Sequence, residues 1–198
     1  MKKIKITLAA LVAMVTMGTA VNAQTTFGIR AGVGMTGIYG KNTDAAENRF
    51  GYHFGVNAEM PIGNDLYFQP NLLFANKGLK GTNEGVKVQQ MYNYIEVPLN
   101  LLYKGEVGAG KVLVGVGPYI GYGIRAKTKV GSESESSSFK DANLKNLDYG
   151  ANLLLGWEFS NKFSAQLNTG LGLANIAKDG GEFKPKNIGF GISLGYRF

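Results

Sequence analysis

The clearest pattern in the chain is the alternation of side-chain types along its last twelve positions, 187–198. Large apolar side chains occupy every second position there: Ile188, Phe190, Ile192, Leu194, Tyr196 and Phe198. Glycine or a polar residue, such as Ser193 or Arg197, occupies the positions between them. Because successive side chains of a strand point to opposite faces, the segment predicts a strand with one apolar and one polar face. Such a strand suits a barrel wall that separates lipid from a polar interior.

The same alternation recurs along the chain and predicts eight strands. They are Thr25–Met35, Phe50–Met60, Asp65–Asn76, Tyr92–Tyr103, Lys111–Ile124, Leu147–Phe159, Lys162–Ala174 and Asn187–Phe198. Each exceeds or matches the ~9–11 residues that a tilted strand needs to cross a bilayer. We therefore predict an all-β fold, an eight-stranded antiparallel up-and-down transmembrane β-barrel. A soluble lipocalin-type carrier is the weaker alternative, because its apolar face would have to point inward.

The predicted connections alternate between long and short without exception. They are Thr36–Arg49, Pro61–Asn64, Lys77–Met91, Lys104–Gly110, Arg125–Asn146, Ser160–Asn161 and Asn175–Lys186. Outer-membrane barrels have short periplasmic turns and longer extracellular loops. The rhythm therefore places both chain ends in the periplasm and the four long connections outside the cell.

The N-terminal residues have the pattern of an export signal. Three lysines within the first five residues precede an apolar run from Ile6 to Met17, and Val21–Ala23 has the small residues of a cleavage site. The run is too short for a membrane-spanning helix, which needs ~20 residues. We expect a signal peptide at residues 1–23 and one outer-membrane β-barrel domain at residues 24–198.

Composition and charge narrow the range of partners. Loss of the three signal lysines reduces 21 basic residues to 18, against 14 acidic ones, for a net charge of about +4. These charges are spread over turns and loops without a basic run, so we expect no nucleic-acid binding. The chain has no cysteine and therefore no disulfide. We expect it to contact outer-membrane lipid and to be a monomer.

One segment resembles a known family. Residues 94–104 read Tyr-Ile-Glu-Val-Pro-Leu-Asn-Leu-Leu-Tyr-Lys. This resembles a recurring strand of the PorT-type outer-membrane β-barrel domains of Bacteroidetes, which show Tyr, an aliphatic residue, Glu, an aliphatic residue, Pro and Leu at this place. The resemblance covers essentially the whole mature chain and implies a small eight-stranded barrel of the OmpX and OmpA type. It implies no particular activity, since a shared fold carries many roles.

The inward positions predict a network of charged side chains in the lumen. An eight-stranded barrel is only just wide enough for its side chains to fill it. The charged positions that we assign to the network are Arg30, Glu59, Glu96, Glu158 and Arg197. Because buried charges are costly unless they are paired, we expect these groups to pair and plug the lumen. The alternative is a narrow or gated pore in which the pairs open.

Catalytic and metal chemistry have little support in the sequence. The single histidine, His53, lies near the extracellular end of the second predicted strand, without a recognisable nucleophile and acid. One histidine and scattered carboxylates show no metal-ligand spacing. We predict no catalytic, cofactor-binding or metal site, no cofactor and no enzymatic activity.

Three prolines, Pro70, Pro98 and Pro118, fall in the middle of adjacent predicted strands. Proline cannot donate to a strand ladder, and a closed barrel has no edge at which to place it. We expect local bulges at these positions. The alternative is a weakened wall that admits a lipid or an apolar ligand from the side.

The long connections are the expected surface for interaction, because function in rigid scaffolds concentrates in loops. The longest, Arg125–Asn146, carries lysines and glutamates around a run of serines and is typical of a solvated loop. The predicted function is a membrane scaffold that presents extracellular loops for interaction or adhesion with an extracellular or envelope protein. The alternatives are a narrow porin-like channel and a lateral binder or transporter of lipid or apolar ligands.

Overall fold

The computed structural model describes residues 25–198 except residues 42, 44, 45, 84, 179–181 and 183, and only the backbone of Asn83. The predicted signal peptide lies outside the described residues and stays a prediction. Within the described ranges no helix is both long enough and apolar enough to span a membrane.

Antiparallel strands account for most of the described chain. They are β1 (Thr26–Tyr39), β2 (Glu47–Gly63), β3 (Leu66–Asn83), β4 (Val86–Val107), β5 (Gly110–Val130), β6 (Glu133–Ser137), β7 (Leu147–Phe159), β8 (Phe163–Gly172) and β9 (Lys186–Arg197). Eight of them form a closed ring in the order β1-β2-β3-β4-β5-β7-β8-β9, and β9 pairs back with β1. The short strand β6 stands outside the ring and pairs with β5. The eight-stranded antiparallel barrel is confirmed, with β6 as an addition to its wall.

Two of the predicted loops are largely strand. Between Lys77 and Met91, β3 and β4 continue as a paired hairpin instead of a loop. In the predicted loop Arg125–Asn146, β5 runs on to Val130 and returns as β6. Both segments are rich in polar residues, so hydrophobic alternation gave no strand signal. They are strands because each has a neighbouring backbone to pair with, and strand formation depends strongly on such context.

The two ends of the barrel differ in the length of their connections and in how far the strands extend. The connections at one end span residues 64–65, 108–109 and 160–162. We call this the periplasmic end, because short turns mark that side of outer-membrane barrels. We call the other end extracellular. There, Tyr122 is the last residue of β5 that pairs with β7, and β5 continues beyond it to Val130. The wall formed by β3, β4, β5 and β6 therefore rises above the rest of the barrel.

The two faces of the wall have opposite chemistry. On β9, Leu194 is 65% exposed on the outside, whereas the adjacent Ser193 is 1% exposed and faces the lumen. On β2, Val56 and Asn57 show the same contrast. A soluble protein buries its apolar side chains. The reversed arrangement suits a wall between lipid and a polar interior.

The chain closes on itself through its first and last strands. The β1–β9 ladder runs in register from the Gly28–Arg197 pair to the Tyr39–Lys186 pair. Beyond it, the backbone N–H of Phe198 donates to the carbonyl of Phe27 at 2.9 Å. Closure removes the free edges that a sheet would otherwise expose.

The bulges predicted at the three prolines are wrong. The register is unchanged on both sides of Pro70, Pro98 and Pro118. Instead, the regular pairing is interrupted for two residue pairs in each of the interfaces β2–β3, β3–β4 and β4–β5. A missing N–H removes a ladder bond without requiring an inserted residue. The observed register shifts lie elsewhere, at Asn48/Tyr52, Pro61/Gly63 and Asn93/Tyr94.

Lumen amides compensate for part of this interruption. The Nδ2 group of Asn71 donates to the carbonyl of Pro98 at 3.4 Å, and that of Asn152 donates to the carbonyl of Gly117 at 2.7 Å. Buried carbonyls are costly when they are left without a donor. These contacts therefore stabilise the wall beside the prolines.

Candidate functional site

A cluster of four charged side chains fills the periplasmic part of the lumen. We call it the periplasmic charge cluster: Glu59, Lys104, Glu158 and Arg197. Lys104 Nζ lies 2.9 Å from Glu59 Oε2 and 2.8 Å from Glu158 Oε1. Arg197 contacts Glu59 and donates to Asn57 Oδ1 at 2.8 Å. Two cations thus neutralise two carboxylates in a space from which solvent is largely excluded, as buried ion pairs require.

Amide and hydroxyl groups occupy the middle of the lumen around Arg30. This guanidinium donates to Asn168 Oδ1 at 2.8 Å and to Asn71 Oδ1 at 3.3 Å. Within the described residues no carboxylate lies at ion-pair distance from it. Asn168 also donates to Ser193 Oγ at 2.7 Å. Arg30 is therefore a buried cation solvated by neutral groups.

His53 also belongs to this central layer. Its Nε2 atom lies 2.7 Å from Ser193 Oγ. A serine and a histidine at this distance are two of the three parts of a nucleophile triad. Among the described residues no carboxylate accepts a hydrogen bond from the histidine, and Ser193 is 1% exposed. The pair forms a hydrogen bond between β2 and β9.

A second charged cluster lies in the extracellular half of the lumen. It consists of Lys77, Glu96 and Asp148, and we call it the extracellular charge cluster. Lys77 contacts Glu96, and its Nζ atom lies 3.8 Å from Asp148 Oδ2. The same ammonium group lies 4.5 Å from the centre of the Tyr119 ring, within cation–π range. The hydroxyl of Tyr119 donates to Asp148 Oδ2 at 3.1 Å.

An aromatic cap closes the lumen above this cluster. The cap consists of Tyr92 and Tyr94 from β4 and Phe139 from the segment that follows β6. The Phe139 ring is 1% exposed and meets Tyr94 edge to face, with 5.2 Å between the ring centroids. Gly123 makes room for it, because a Cβ atom there would lie 2.3 Å from the ring. An extracellular segment therefore reaches back over the lumen and packs against β4. A cavity of about 260 Å³ remains beside Tyr92 and Ile176.

The two extracellular connections bind each other over the cap. The backbone N–H of Lys145 donates to Ile176 O at 2.8 Å, and that of Lys178 donates to Asn143 O at 3.1 Å. Ile176 packs into the same apolar cluster as the cap. The closure is therefore held by backbone bonds as well as by side chains.

A cavity of about 120 Å³ lies between the central layer and the extracellular charge cluster. Arg30, His53, Lys77, Glu96 and Tyr119 are among the residues that line it. The volume exceeds the ~10–15 Å³ that a single water needs, so the cavity can hold several waters or one small solute. The lining also includes residues of the outer wall, such as Val33 and Phe190.

The structure divides the five predicted network residues among three levels. Glu59, Glu158 and Arg197 meet in the periplasmic charge cluster. Arg30 lies in the central layer, and Glu96 belongs to the extracellular charge cluster. Hydrogen bonds through Asn71 and Gln69 link Arg30 to Glu59. Among the described residues, Glu96 has no hydrogen bond or ion pair to the other four.

Sequence reasoning missed the two lysines that organise the charged clusters. Lys77 and Lys104 lie at the first positions of predicted loops, but the strands continue through them. The signal was available in the alternation: Lys104 follows the inward residues Asn100 and Leu102 at a spacing of two. Continuing the period past the last apolar residue would have placed it in the lumen.

No metal site accompanies these clusters. Within the described part of the chain, no group of three or more His, Asp or Glu side chains is arranged to hold an ion.

Comparison with known proteins identifies the family to which this barrel belongs. A family model described as outer membrane protein beta-barrel domain matches residues 22–178, well over half of the chain. The chain belongs to the outer membrane protein β-barrel domain family. Membership places the protein in the bacterial outer membrane. The matched residues include β1 to β8, whereas β9 follows them.

Solved outer-membrane barrels resemble the chain in structure. Neisserial surface protein A is 11% identical, with a TM-score of 0.51 and coverage of 88% of this chain and 99% of that chain. Ail, the attachment invasion locus protein of Yersinia pestis, solved with the heparin analogue sucrose octasulfate, is 16% identical, with a TM-score of 0.46 and coverage of 88% and 99%. OprG of Pseudomonas aeruginosa is 13% identical, with a TM-score of 0.44 and coverage of 89% and 97%. The likeness to Neisserial surface protein A shows the fold alone. A search of curated proteins finds no match.

Proposed function

We propose that this member of the outer membrane protein β-barrel domain family is a closed membrane scaffold that presents an extracellular surface for interaction. The observation that supports this most directly is the double closure of the lumen, by the periplasmic charge cluster and by the aromatic cap. A narrow barrel filled in this way has the rigidity of a packed core. The side chains available for interaction with a partner then lie outside the lumen.

The extracellular side offers the surface that such a scaffold would present. The β3–β4 hairpin and the β5–β6 hairpin form a continuous four-stranded sheet above the barrel. The connections on the opposite side fold over the mouth. A surface built on paired strands is held in place, which favours recognition of an extracellular or envelope protein.

The finer assignments are part of the same proposal. The motif at residues 94–104 supports the PorT-type family, and in the structure its Tyr94 and Glu96 line the lumen. Complete closure of the ring supports a monomer, because no edge needs a second copy. The His53–Ser193 pair lacks a carboxylate among the described residues, which supports a non-enzymatic role.

Single-channel recording tests the proposal. The full chain, refolded in detergent and inserted into a planar lipid bilayer, is expected to give no conductance steps at either polarity. Insertion is checked in parallel by protease protection and by heat-modifiable gel mobility. Regular steps from the unaltered chain would overturn the closed scaffold.

The cavity of about 120 Å³ favours a gated channel as the second candidate. It contacts the central layer through Arg30 and the extracellular charge cluster through Lys77 and Glu96, so opening both closures would join it to the water on each side. A lateral binder has less support, since the register continues past Pro70, Pro98 and Pro118.

A further inference from the structure

The sheet above the barrel carries positive and negative side chains on opposite faces. The cross-strand pairs of β5 and β6 are Ala126–Ser137, Lys127–Ser136, Thr128–Glu135, Lys129–Ser134 and Val130–Glu133. Residues paired across a ladder share a face, and neighbours along a strand do not. The lysines therefore lie on one face with Ser134 and Ser136, and the glutamates lie on the other. A segment of mixed charge in sequence is thus separated by charge in space.

A shift of register turns the lysine face toward the outside of the barrel. Below the shift, Gly123 faces the lumen. The pairing of β5 with β4 then skips one residue, Ile124. Above the shift, Ala126 is the buried residue, at 3% exposure, so Arg125 and Lys127 point outward. An inserted residue exchanges the two faces of a strand in this way.

An arginine from β2 joins this outer face. Arg49 donates to Asn76 Oδ1 at 2.7 Å, and Asn76 donates to Asn93 Oδ1 at 2.6 Å. Asn93 in turn pairs with Arg125 across the β4–β5 ladder. Two arginines thus stand at the ends of one polar row that crosses four strands.

A lysine from β3 lies one step higher on the same face. Lys80 and Lys129 both pair with Gln89, from opposite sides. Their backbones are therefore two strand spacings apart, or about 10 Å. We name the five cations the basic collar: Arg49, Lys80, Arg125, Lys127 and Lys129.

The collar follows directly on the apolar outer wall. Tyr122 and Ile124 are 58% and 47% exposed, on the same strand and immediately below Arg125. Aromatic residues mark the interface zone of outer-membrane barrels. The collar consequently lies at the level where acyl chains give way to headgroups.

Few carboxylates neutralise the collar. Lys80 Nζ lies 3.5 Å from Glu47 Oε2 in an exposed pair, which is worth little. Within the described residues, Arg125, Lys127 and Lys129 lie in no ion pair. The nearby glutamates of β6 are on the opposite face.

We propose that the basic collar binds the phosphate groups of glycolipid headgroups in the outer leaflet. Its position, its outward direction and its unneutralised charge fit a layer of anions that lies just above the hydrocarbon. Lysine and arginine beside a membrane surface attract such anions strongly. The site is independent of whether the lumen conducts.

Lipid A provides the test. Native mass spectrometry of the full chain in neutral detergent measures binding of lipid A that carries both phosphates and of dephosphorylated lipid A. The unaltered chain is expected to retain the phosphorylated form preferentially. The triple variant Arg125→Gln, Lys127→Gln, Lys129→Gln is expected to bind it roughly a hundredfold more weakly, at about fivefold per charge.

A matched variant controls for net charge. Lys140→Gln, Lys145→Gln, Lys178→Gln removes three exposed cations from the connections over the mouth and is expected to bind lipid A like the unaltered chain. Heat-modifiable mobility verifies that each variant is folded. Equal binding by the two triple variants, or equal binding of dephosphorylated lipid A, overturns the proposal. Binding of heparin, a soluble polyanion, is measured on the same two triple variants. If the variant at Arg125, Lys127 and Lys129 loses heparin binding but keeps lipid A binding, the proposal is overturned and the collar binds a soluble polyanion.

Discussion

At the scale of single residues, two buried lysines decide how the lumen is closed. Lys104 bridges Glu59 and Glu158, so that one ammonium group links β4 to β2 and to β7. Lys77 holds Glu96 near Asp148 in the same manner, higher in the barrel. Each lysine compensates carboxylates that would be costly to bury alone. The charges of the lumen are therefore interdependent, and removing one leaves its partner buried without compensation.

Replacing Lys104 tests this dependence. Lys104→Met leaves Arg197 as the remaining cation near Glu59 and Glu158. The free energy of unfolding, measured in urea, is therefore expected to fall by about 3–5 kcal/mol relative to the unaltered chain. The loss is measured from the heat-modifiable band on gels across a urea series. Lys41→Met is the control, since Lys41 and Glu182 form an exposed pair far from the lumen and the change is expected to stay within about 1 kcal/mol. Equal losses in the two variants would contradict the role given to Lys104.

The fit of Phe139 against Gly123 gives a second test. In Gly123→Ala the new methyl group would lie 2.3 Å from the ring, so Phe139 must leave the cap. Overpacking of this kind raises the open population about tenfold or more. Trypsin is then expected to cut at Lys140 and Lys145 correspondingly faster.

Gly121→Ala is the matched control, because its nearest neighbour, Glu96, would be at an ordinary 3.4 Å. Both glycines face the lumen from the same strand. Unchanged cleavage in Gly123→Ala, or faster cleavage in both variants, would show that Phe139 does not hold the cap closed.

At the scale of elements, β5 carries three different environments along one strand. Its lower part alternates between lipid and lumen, with Val114 outside and Leu113 inside. At Ile124 the alternation shifts by one residue against β4. Above that point the strand belongs to the extracellular sheet and pairs with β6 instead of β7. One strand therefore serves as membrane wall, interface and surface.

Two arginine substitutions on β5 locate the membrane. Val116 and Ile124 are 49% and 47% exposed on the outer face. Val116→Arg is expected to destabilise the barrel by about 2–4 kcal/mol in lipid, because it places a charge near the bilayer centre. Ile124→Arg, beside the basic collar, is expected to cost about 0–1 kcal/mol. Folding titrations in lipid vesicles measure both, and equal costs would contradict the membrane position.

At the scale of the whole molecule, the proposed function rests on two closures of the lumen, the periplasmic charge cluster and the aromatic cap. The periplasmic charge cluster is electrically balanced, with two cations and two carboxylates. In the rest of the lumen, Arg30 and Lys77 face Glu96 and Asp148. Balanced charge lowers the cost of burying these groups. Under the proposed function, each closure alone blocks the passage.

Opening both closures together is expected to produce a channel. Lys104→Ser with Glu158→Ser removes one cation and one anion and leaves the Glu59–Arg197 pair in place. Phe139→Ala removes the ring of the cap. Each change alone is expected to give no conductance, and the combination is expected to give small regular steps in a planar bilayer. Steps from either change alone would show that the closures do not act in series.

The sequence by itself determined the architecture, the membrane location and the face on which most residues lie. These follow from a period of two, which is local: Ser193 and Leu194 face opposite sides whatever the rest of the chain does. The tertiary structure alone decided which charges meet, because the register between strands sets their heights. It placed Arg30 away from Glu59 and brought Lys104 between Glu59 and Glu158.

The outward direction of Arg125, Lys127 and Lys129 shows most clearly what only the tertiary structure decided. Their odd numbers continue the series of Gly121 and Gly123, which face the lumen, so strict alternation places them inside. One unpaired residue against β4 reverses the faces. Such a shift depends on the pairing of two strands and leaves no trace in the periodicity of either. The sequence therefore determined the wall of the barrel, whereas the contact between its strands decided what fills the barrel and what the wall presents above the membrane.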